Sequence, residues 1–120
     1  MKDIELIPEN IRSKSLSQTD IVLDYEDVLK AFDVLVEKNI VLLAWEGWIQ
    51  HSNGSIDHSL QYQGMIATER LKDEPLSVYV KKSIDLGKVS IKQAQEKWNN
   101  AQETKKGKLF FCITLLQETS

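Results

Sequence analysis

Glu46 and His58 are the two side chains of this sequence best suited to acid and base chemistry. Glu46 stands between Trp45 and Trp48 in the sequence. A carboxylate shielded by indole rings can have a raised pKa and exchange a proton near neutral pH. The two groups would act together only if both side chains entered one cavity. One hypothesis is therefore a small enzyme or ligand-binding domain that uses Glu46 and His58, although no nucleophile stands nearby and an exposed glutamate is the simpler interpretation.

The sequence does not predict a metal or cofactor site. His51 and His58 are few histidines for a metal enzyme, and a tetrahedral zinc site would need further ligands that the pattern does not supply. A glycine-rich phosphate loop, a nucleophile elbow and a paired-cysteine motif are also absent from the sequence. Our leading expectation is a protein with no catalytic residue, no metal and no cofactor.

The segment that carries these residues, Ile40 to Ile66, is predicted to be a β-hairpin. Strand-forming residues stand on either side of Asn53-Gly54, the dipeptide most suited to a two-residue turn. Such a turn fixes which residues oppose one another across the two strands. It predicts these opposed pairs: Glu46 with Gln61, Trp48 with Ser59, Gln50 with Asp57, and Trp45 with Tyr62.

Strand side chains alternate between faces, so this register divides the hairpin into two surfaces. The predicted core face holds Trp45, Gly47, Ile49, Ile56, Leu60 and Tyr62, with His58 among them as a hydrogen-bonded structural histidine and His51 on the same side. The predicted outer face holds Glu46, Trp48, Gln50, Asp57, Ser59, Gln61 and Gln63. Glu46 and His58 then lie on opposite faces, which argues against the enzyme hypothesis. A register shifted by one residue would bring them together.

The predicted outer face has the composition of a protein-binding surface. An indole supplies contact area, and the acid and amides around it supply hydrogen bonds. A helix or loop of the same chain could instead cover Trp48. The residues that we assign to binding are Glu46, Trp48, Gln50, Ser59, Gln61 and Gln63.

The remaining patterns predict an α+β fold, a mainly antiparallel sheet with the hairpin at its centre and about three helices packed on it. The clearest helix begins after Asp24 and ends at Asn39, and two further helices are expected, one from Pro75 to Gly87 and one after the capping residue Ser90. A strand from Leu76 to Val80 is the alternative to the first of these two. Apolar runs from Ile40 to Trp45 and from Leu109 to Leu116 predict two central strands. In residues 1 to 23, Pro8 suits a short helix and Ile21 to Leu23 a short strand, and we expect this segment to cover part of the sheet.

The composition is that of one globular domain spanning residues 1 to 120. Of these residues 42% are hydrophobic and 28% charged, with a net charge of -3. We expect no nucleic-acid partner, because the chain is slightly acidic and we interpret Lys105, Lys106 and Lys108 as a solvated turn. We expect no membrane partner, because the chain has no long apolar run. The sequence has no secretory signal, and we interpret its single cysteine, Cys112, as a reduced thiol packed in the core. The expected location is therefore the cytoplasm.

Several motifs occur together in an order that resembles a known family. The motifs are Trp45-Glu46-Gly47-Trp48, Asn53-Gly54, His58-Ser59, Gln63-Gly64 and Phe111-Cys112-Ile113-Thr114. With these motifs in this order, the chain from Tyr25 to Leu116 resembles the family numbered forty among the immunity proteins of bacterial polymorphic toxin systems. The resemblance implies a non-enzymatic cytoplasmic antidote that binds a cognate toxin domain, usually encoded alongside it.

Two other interpretations stay open at this level. Toxin specificity can reside outside the shared motifs, so the loop from Glu69 to Glu74 and the acidic side of the first long helix, with Glu26, Asp27 and Asp33, are competing surfaces. A third class of function is an oligomeric scaffold, in which the exposed hairpin edge forms a homodimer.

Overall fold

The computed structural model describes residues 2–101 and 107–116. It confirms the α+β class, with two long helices packed against one antiparallel sheet. A 3-10 helix, Asp3–Leu6, comes first. The other elements in chain order are α1 (Glu9–Arg12), β1 (Ile21–Leu23), α2 (Tyr25–Lys38), β2 (Val41–His51), β3 (Ile56–Met65), α3 (Leu76–Asn99) and β4 (Gly107–Leu116).

The sheet of the described residues has the strand order β1-β4-β2-β3. The two apolar runs form β2 and β4, which are neighbours at the centre of the sheet as predicted. Many side chains of the two runs are buried, including Leu42, Trp45, Phe110 and Phe111, which accounts for their apolar sequences. β3 is an edge strand, and β1 is the short opposite edge.

Helix α2 begins and ends where the sequence predicts. The Asp24 carboxylate caps it by accepting a hydrogen bond of 2.9 Å from the Asp27 backbone N–H. Asn39 ends it in the left-handed conformation, with φ of 57°. Phe32 and Leu35 on its inner side are fully buried, which places α2 on the core side of the sheet.

The N-terminal segment, residues 2–23, packs against the core and contains short elements of secondary structure. The short helix after Pro8 and the strand Ile21–Leu23 both form, as expected. Ile7 is buried and its carbonyl accepts a hydrogen bond of 3.0 Å from the Arg12 guanidinium. The Lys38 ammonium, at the end of α2, donates to the Leu6 carbonyl at 2.6 Å. These contacts fasten the segment to α2.

The prediction of two helices between Pro75 and Ala101 is wrong, because Leu76–Asn99 is one continuous helix. Gly87 does not end it. A Cβ at Gly87 would lie 2.3 Å from Leu42 Cδ2, so the glycine allows α3 to approach β2 closely. Ser90 does not cap a helix either, since its hydroxyl accepts a hydrogen bond of 2.8 Å from the Trp45 indole. Gly87 and Ser90, which the sequence predicted to separate two helices, instead contact β2.

The predicted hairpin register is also wrong by one residue near the turn. The loop has three residues, positions 52–54, closed by hydrogen bonds of 2.8 Å from His51 N–H to the Ser55 carbonyl and from Gly54 N–H to the His51 carbonyl. Only Gly54 in this loop has a positive φ, of 90°. Asn53 instead accepts from the Ser55 N–H at 2.9 Å, which is an Asx turn. A three-residue loop with glycine in the left-handed position therefore replaces the two-residue turn.

Ser83 connects α3 to the central strand β2. Its buried hydroxyl accepts a hydrogen bond of 3.1 Å from the Leu42 N–H and donates one of 2.8 Å to the Val80 carbonyl. The ladder between β2 and β4 shifts register between Leu42 and Ala44. The serine therefore supplies an acceptor to a backbone N–H at an irregular point of the sheet.

We predict that Ser83→Ala lowers the free energy of unfolding by about 2 kcal/mol, because a buried backbone N–H loses its acceptor. Urea denaturation followed by circular dichroism measures this. The matched control is Ser77→Ala on the exposed side of the same helix, for which we expect a change within about 0.5 kcal/mol. Equal stability of both variants would show that the Ser83 bond contributes nothing.

Candidate protein-binding face

The Trp45-Glu46-Gly47-Trp48 motif lies in the middle of β2 and alternates between the two faces of the sheet. Trp45 points to the helices, where its indole donates to Ser90 and its ring meets Phe111 edge-on at 5.2 Å. A Cβ at Gly64, its partner on β3, would lie 2.5 Å from the indole nitrogen, so glycine is needed there. Trp45 is thus a structural residue that fixes which way its neighbours point.

Gly47 makes room for a bulge in β3. The register shifts from Glu46 opposite Gln63 to Gly47 opposite Ser59, so that positions 60–62 of β3 form a bulge between the two parts of the ladder. Tyr62, in this bulge, is buried and packs edge-on against Trp98 of α3 at 5.8 Å. A Cβ at Gly47 would lie 2.6 Å from the Tyr62 Cβ. The glycine therefore lets the bulge close onto the sheet.

The side chains on the sheet face away from α2 and α3 form what we call the outer face. They lie in rows across β4, β2 and β3, because paired residues point to the same side. The middle rows are Cys112, Glu46 and Gln63, and then Phe110, Trp48 and His58. The flanking rows are Thr114, Ala44 and Met65 on one side, and Lys108, Gln50 and Ile56 on the other.

Glu46, Trp48 and His58 form one connected cluster on this outer face. The Trp48 indole N–H donates to Glu46 Oε1 at 2.9 Å. The rings of Trp48 and His58 stack with 4.3 Å between centroids and 19° between planes. His58 Nδ1 lies 3.8 Å from the same carboxylate oxygen. The Glu46 and His58 side chains are 48% and 61% exposed, so the cluster is both ordered and accessible.

The predicted binding residues divide into two groups. Glu46, Trp48, Gln50 and Gln63 lie on the outer face as expected. The assignment of Ser59 to the outer face is wrong, because it pairs with Gly47, which points inward. Asp57, which pairs with the inward Ile49, is likewise not on the outer face. Gln61 is exposed but lies in the bulge.

His58 and Ile56 are the residues that the predicted register misplaced from the outer face to the core. Because the real loop is one residue longer than expected, the first half of β3 is turned over relative to β2. Ile56 and His58 therefore lie on the outer face, and Ile56 is 39% exposed. A three-residue loop at the same Asn53-Gly54 would have placed His58 beside Trp48. The side chain of Leu60, predicted on the core face, lies outside the described residues.

His51 forms a second polar pair, which the predicted register had separated. His51 Nε2 lies 2.6 Å from Asp57 Oδ2, on the side of the hairpin opposite His58. The prediction that both histidines share a face is thus wrong. Within residues 2–101 and 107–116, the structure contains no group of three or more histidine, cysteine or acidic side chains that could hold a metal ion.

A groove of about 580 Å³ borders the cluster on the outer face. Small side chains, Ala44, Cys112 and Thr114, form its floor, and Met65 stands 81% exposed at its edge. Cys112 is only partly buried here, not in the core as the sequence predicted. Burial, followed by the charges of Asp20, Glu46 and Asp3, raises the pKa of its thiol to about 12.

Acids on the two competing surfaces, the loop from Glu69 to Glu74 and the acidic side of α2, form ion pairs with lysines of the same chain. Glu74, in the loop before α3, lies 3.0 Å from the Lys82 ammonium. Asp27, on α2, lies 3.6 Å from Lys14 and 3.7 Å from Lys30. A positive partner residue would have to compete with these pairs. Lys105 and Lys106 of the predicted basic turn lie outside the described residues.

Comparison with known proteins gives no relative from which to transfer a function. The sequence matches no protein-family model, and no curated protein matches it. None of the helices in the described part of the chain has the length and apolar character that crossing a membrane requires.

We predict that Gly47→Ala lowers the free energy of unfolding by about 2 to 3 kcal/mol, because the added methyl group overlaps Tyr62. The overlap includes the Tyr62 carbonyl oxygen at 3.0 Å, which cannot rotate away. Thermal or urea unfolding measures the loss. As control, Gly54→Asn replaces a glycine with no atom within 4 Å of its added Cβ, and we expect at most about 1 kcal/mol there. A fully stable Gly47→Ala protein would contradict the packing described.

We predict that Cys112 reacts slowly with iodoacetamide at neutral pH. A thiol whose pKa is raised to about 12 is only about 0.01% thiolate at pH 8, whereas a free cysteine is roughly one quarter thiolate. The alkylation rate of the folded chain should therefore rise with every pH unit above 8, and the urea-unfolded chain should react at the ordinary rate. A rate that levels off near pH 9 in the folded chain would contradict this.

Proposed function

We propose that this chain is an immunity protein, a non-enzymatic antidote that binds a cognate bacterial toxin domain and neutralises it by covering its active site or an adjacent surface. The observation that carries the proposal is the Glu46, Trp48 and His58 cluster. It presents an indole, an imidazole and a carboxylate on a sheet face that neither long helix covers. The order of motifs in the sequence supports the same function by resemblance.

The cluster has the features of a binding hot spot. Trp48 is the apolar anchor, and aromatic residues of this kind contribute most to protein interfaces when a partner excludes water from them. The bond from its indole to Glu46 and the stack on His58 hold the ring in one orientation before binding. Less conformational entropy is then lost on association. Gln50 and Gln63, on either side, supply amides that set the register of the partner.

Glu46 gives the cluster its charge preference. One carboxylate oxygen, Oε1, accepts from Trp48 and faces His58. A basic side chain of the toxin can approach the other oxygen, because the carboxylate is about half exposed. A charge pair of this kind contributes mainly to orientation and association rate.

The approach of His58 to Glu46 also favours a second candidate function, an acid and base pair in a small enzyme. With 3.8 Å between His58 Nδ1 and Glu46 Oε1, the two groups lie on one face, which the predicted register excluded. Both groups are about half exposed on an open face, however, and Glu46 already accepts from Trp48. An exposed pair of this kind lacks the water exclusion on which electrostatic catalysis depends. We therefore favour the binding function.

We predict that co-expression of this chain rescues growth from the toxic domain encoded immediately upstream, and that the two purified proteins form a one-to-one complex. Trp48→Ala should weaken the complex by about 2 kcal/mol or more, roughly thirtyfold in Kd, because the apolar anchor is lost. Titration calorimetry and the mass of the complex in solution measure both statements.

The control variant is Val89→Ala, which removes an exposed apolar side chain, 56% exposed, from the helix layer. It should leave the Kd unchanged. Near-ultraviolet circular dichroism checks that Trp48→Ala remains folded, since Trp48 lies beside the buried Phe110. Unchanged affinity of a folded Trp48→Ala protein would remove the cluster from the interface. A free chain that dimerises at micromolar concentration would instead favour the scaffold hypothesis.

A further inference from the structure

The groove beside the cluster is open on the outer face and lined by neutral side chains with one carboxylate. Its lining is Ala44, Trp45, Glu46, Gln63, Gly64, Met65, Cys112 and Thr114. The small side chains Ala44 and Thr114 are paired on β2 and β4 in the same row as Met65, and Trp48 lies in the row beyond Glu46. The groove therefore has small side chains in one row and the Glu46 carboxylate in the next.

The one charged side chain among the described residues that line the groove is acidic. Glu46 lies in its wall, and none of the described residues that line it is a lysine or arginine. Asp3 and Asp20 lie beyond the β4 side, where Asp20 directly precedes β1 and Asp3 accepts a hydrogen bond from the Leu115 N–H. Burial, followed by the charge of Asp20, raises the pKa of Asp3.

Cys112, which lines the groove, is also affected by these acids. After burial, the three groups that raise the pKa of its thiol are Asp20, Glu46 and Asp3. The carboxylates of Asp20, Glu46 and Asp3 therefore act on the groove from more than one side.

We propose that this groove is the part of the binding face that receives a cationic side chain of the toxin, an arginine or lysine on a basic segment. The inference rests on the proposed function and extends it from the cluster to the groove. The aliphatic part of the partner side chain lies over Ala44 and against Met65, and its charged end reaches Glu46 and the Gln63 amide oxygen. The acids Asp3 and Asp20 attract the rest of the basic segment.

The geometry favours a side-chain cation over other positive ligands. A metal ion would need several oxygen ligands converging on one point, whereas Glu46 is the one carboxylate among the described residues that line the groove. A guanidinium or ammonium on an aliphatic stem uses both the apolar floor and the single acid. The same negative field disfavours a nucleic-acid backbone.

The first test uses small probes and does not require the toxin. The uniformly ¹⁵N-labelled chain is titrated with N-acetyl-arginine amide and, in parallel, with N-acetyl-citrulline amide, which has the same shape without the charge. We expect saturable amide shifts at Ala44, Gln63 and Thr114 with the arginine probe, in the millimolar range, and weaker binding at high salt. The citrulline probe should give no saturable shifts there.

Two charge-removing variants locate the interaction. Glu46→Gln keeps an oxygen that can accept from Trp48 but removes the charge. Asp20→Asn removes the charge of the acid that precedes β1. Each should weaken arginine binding, Glu46→Gln by about tenfold and Asp20→Asn by less. The matched control, Glu37→Gln, removes one exposed acid from α2 and should change nothing. Absence of shifts, equal shifts with citrulline, or full binding by Glu46→Gln would each overturn the proposal.

The second test separates this inference from the proposed function. In the complex with the toxin domain, Glu46→Gln should weaken binding and reduce its salt dependence, whereas Glu37→Gln should do neither. A chain that binds the arginine probe in the groove but no toxin would contradict the antidote function and support the groove as a cation site. A toxin complex that is insensitive to Glu46→Gln would overturn the groove and leave the antidote function standing.

Discussion

The packing of α3 on β2 is the contact on which the rest of the structure depends. Three small residues on one side of the helix meet the strand, namely Ser83, Gly87 and Ser90. Gly87 allows Leu42 to approach, and the two hydroxyls accept hydrogen bonds from Leu42 and Trp45. Because Trp45 is held inward at this contact, the strand alternation forces Glu46 and Trp48 outward. The orientation of the outer face is thus set by a helix that does not touch it.

The same contact explains where the sequence was a good guide and where it was not. Patterns that depend on near neighbours succeeded: Asp24 and Asn39 do end α2, and the two apolar runs are the central strands. Gly87 and Ser90 failed as helix signals, because their roles come from Leu42 and Trp45, residues more than forty positions away. Asn53-Gly54 located the turn but not its length, and one additional loop residue turned over the first half of β3.

The candidate site was predictable to the extent that it lies on β2. The alternation along Trp45 to Gln50 assigns Glu46, Trp48 and Gln50 to one face in any register. His58 and the floor of the groove were not predictable, since their positions depend on pairing with β3 and β4. The resulting surface combines an ordered aromatic anchor with a groove in a negative field, two properties that together suit a basic protein partner. Its open shape suits binding better than catalysis.

The structure of the complex with the cognate toxin domain tests this account most directly. The account predicts a one-to-one complex in which Trp48 and Glu46 are buried at the centre of the interface and a basic toxin residue lies in the groove between Met65 and Trp48. It also predicts that α2 and the solvent side of α3 remain outside the interface. A complex that leaves Trp48 exposed to solvent, with the toxin bound on the helix layer, would contradict it.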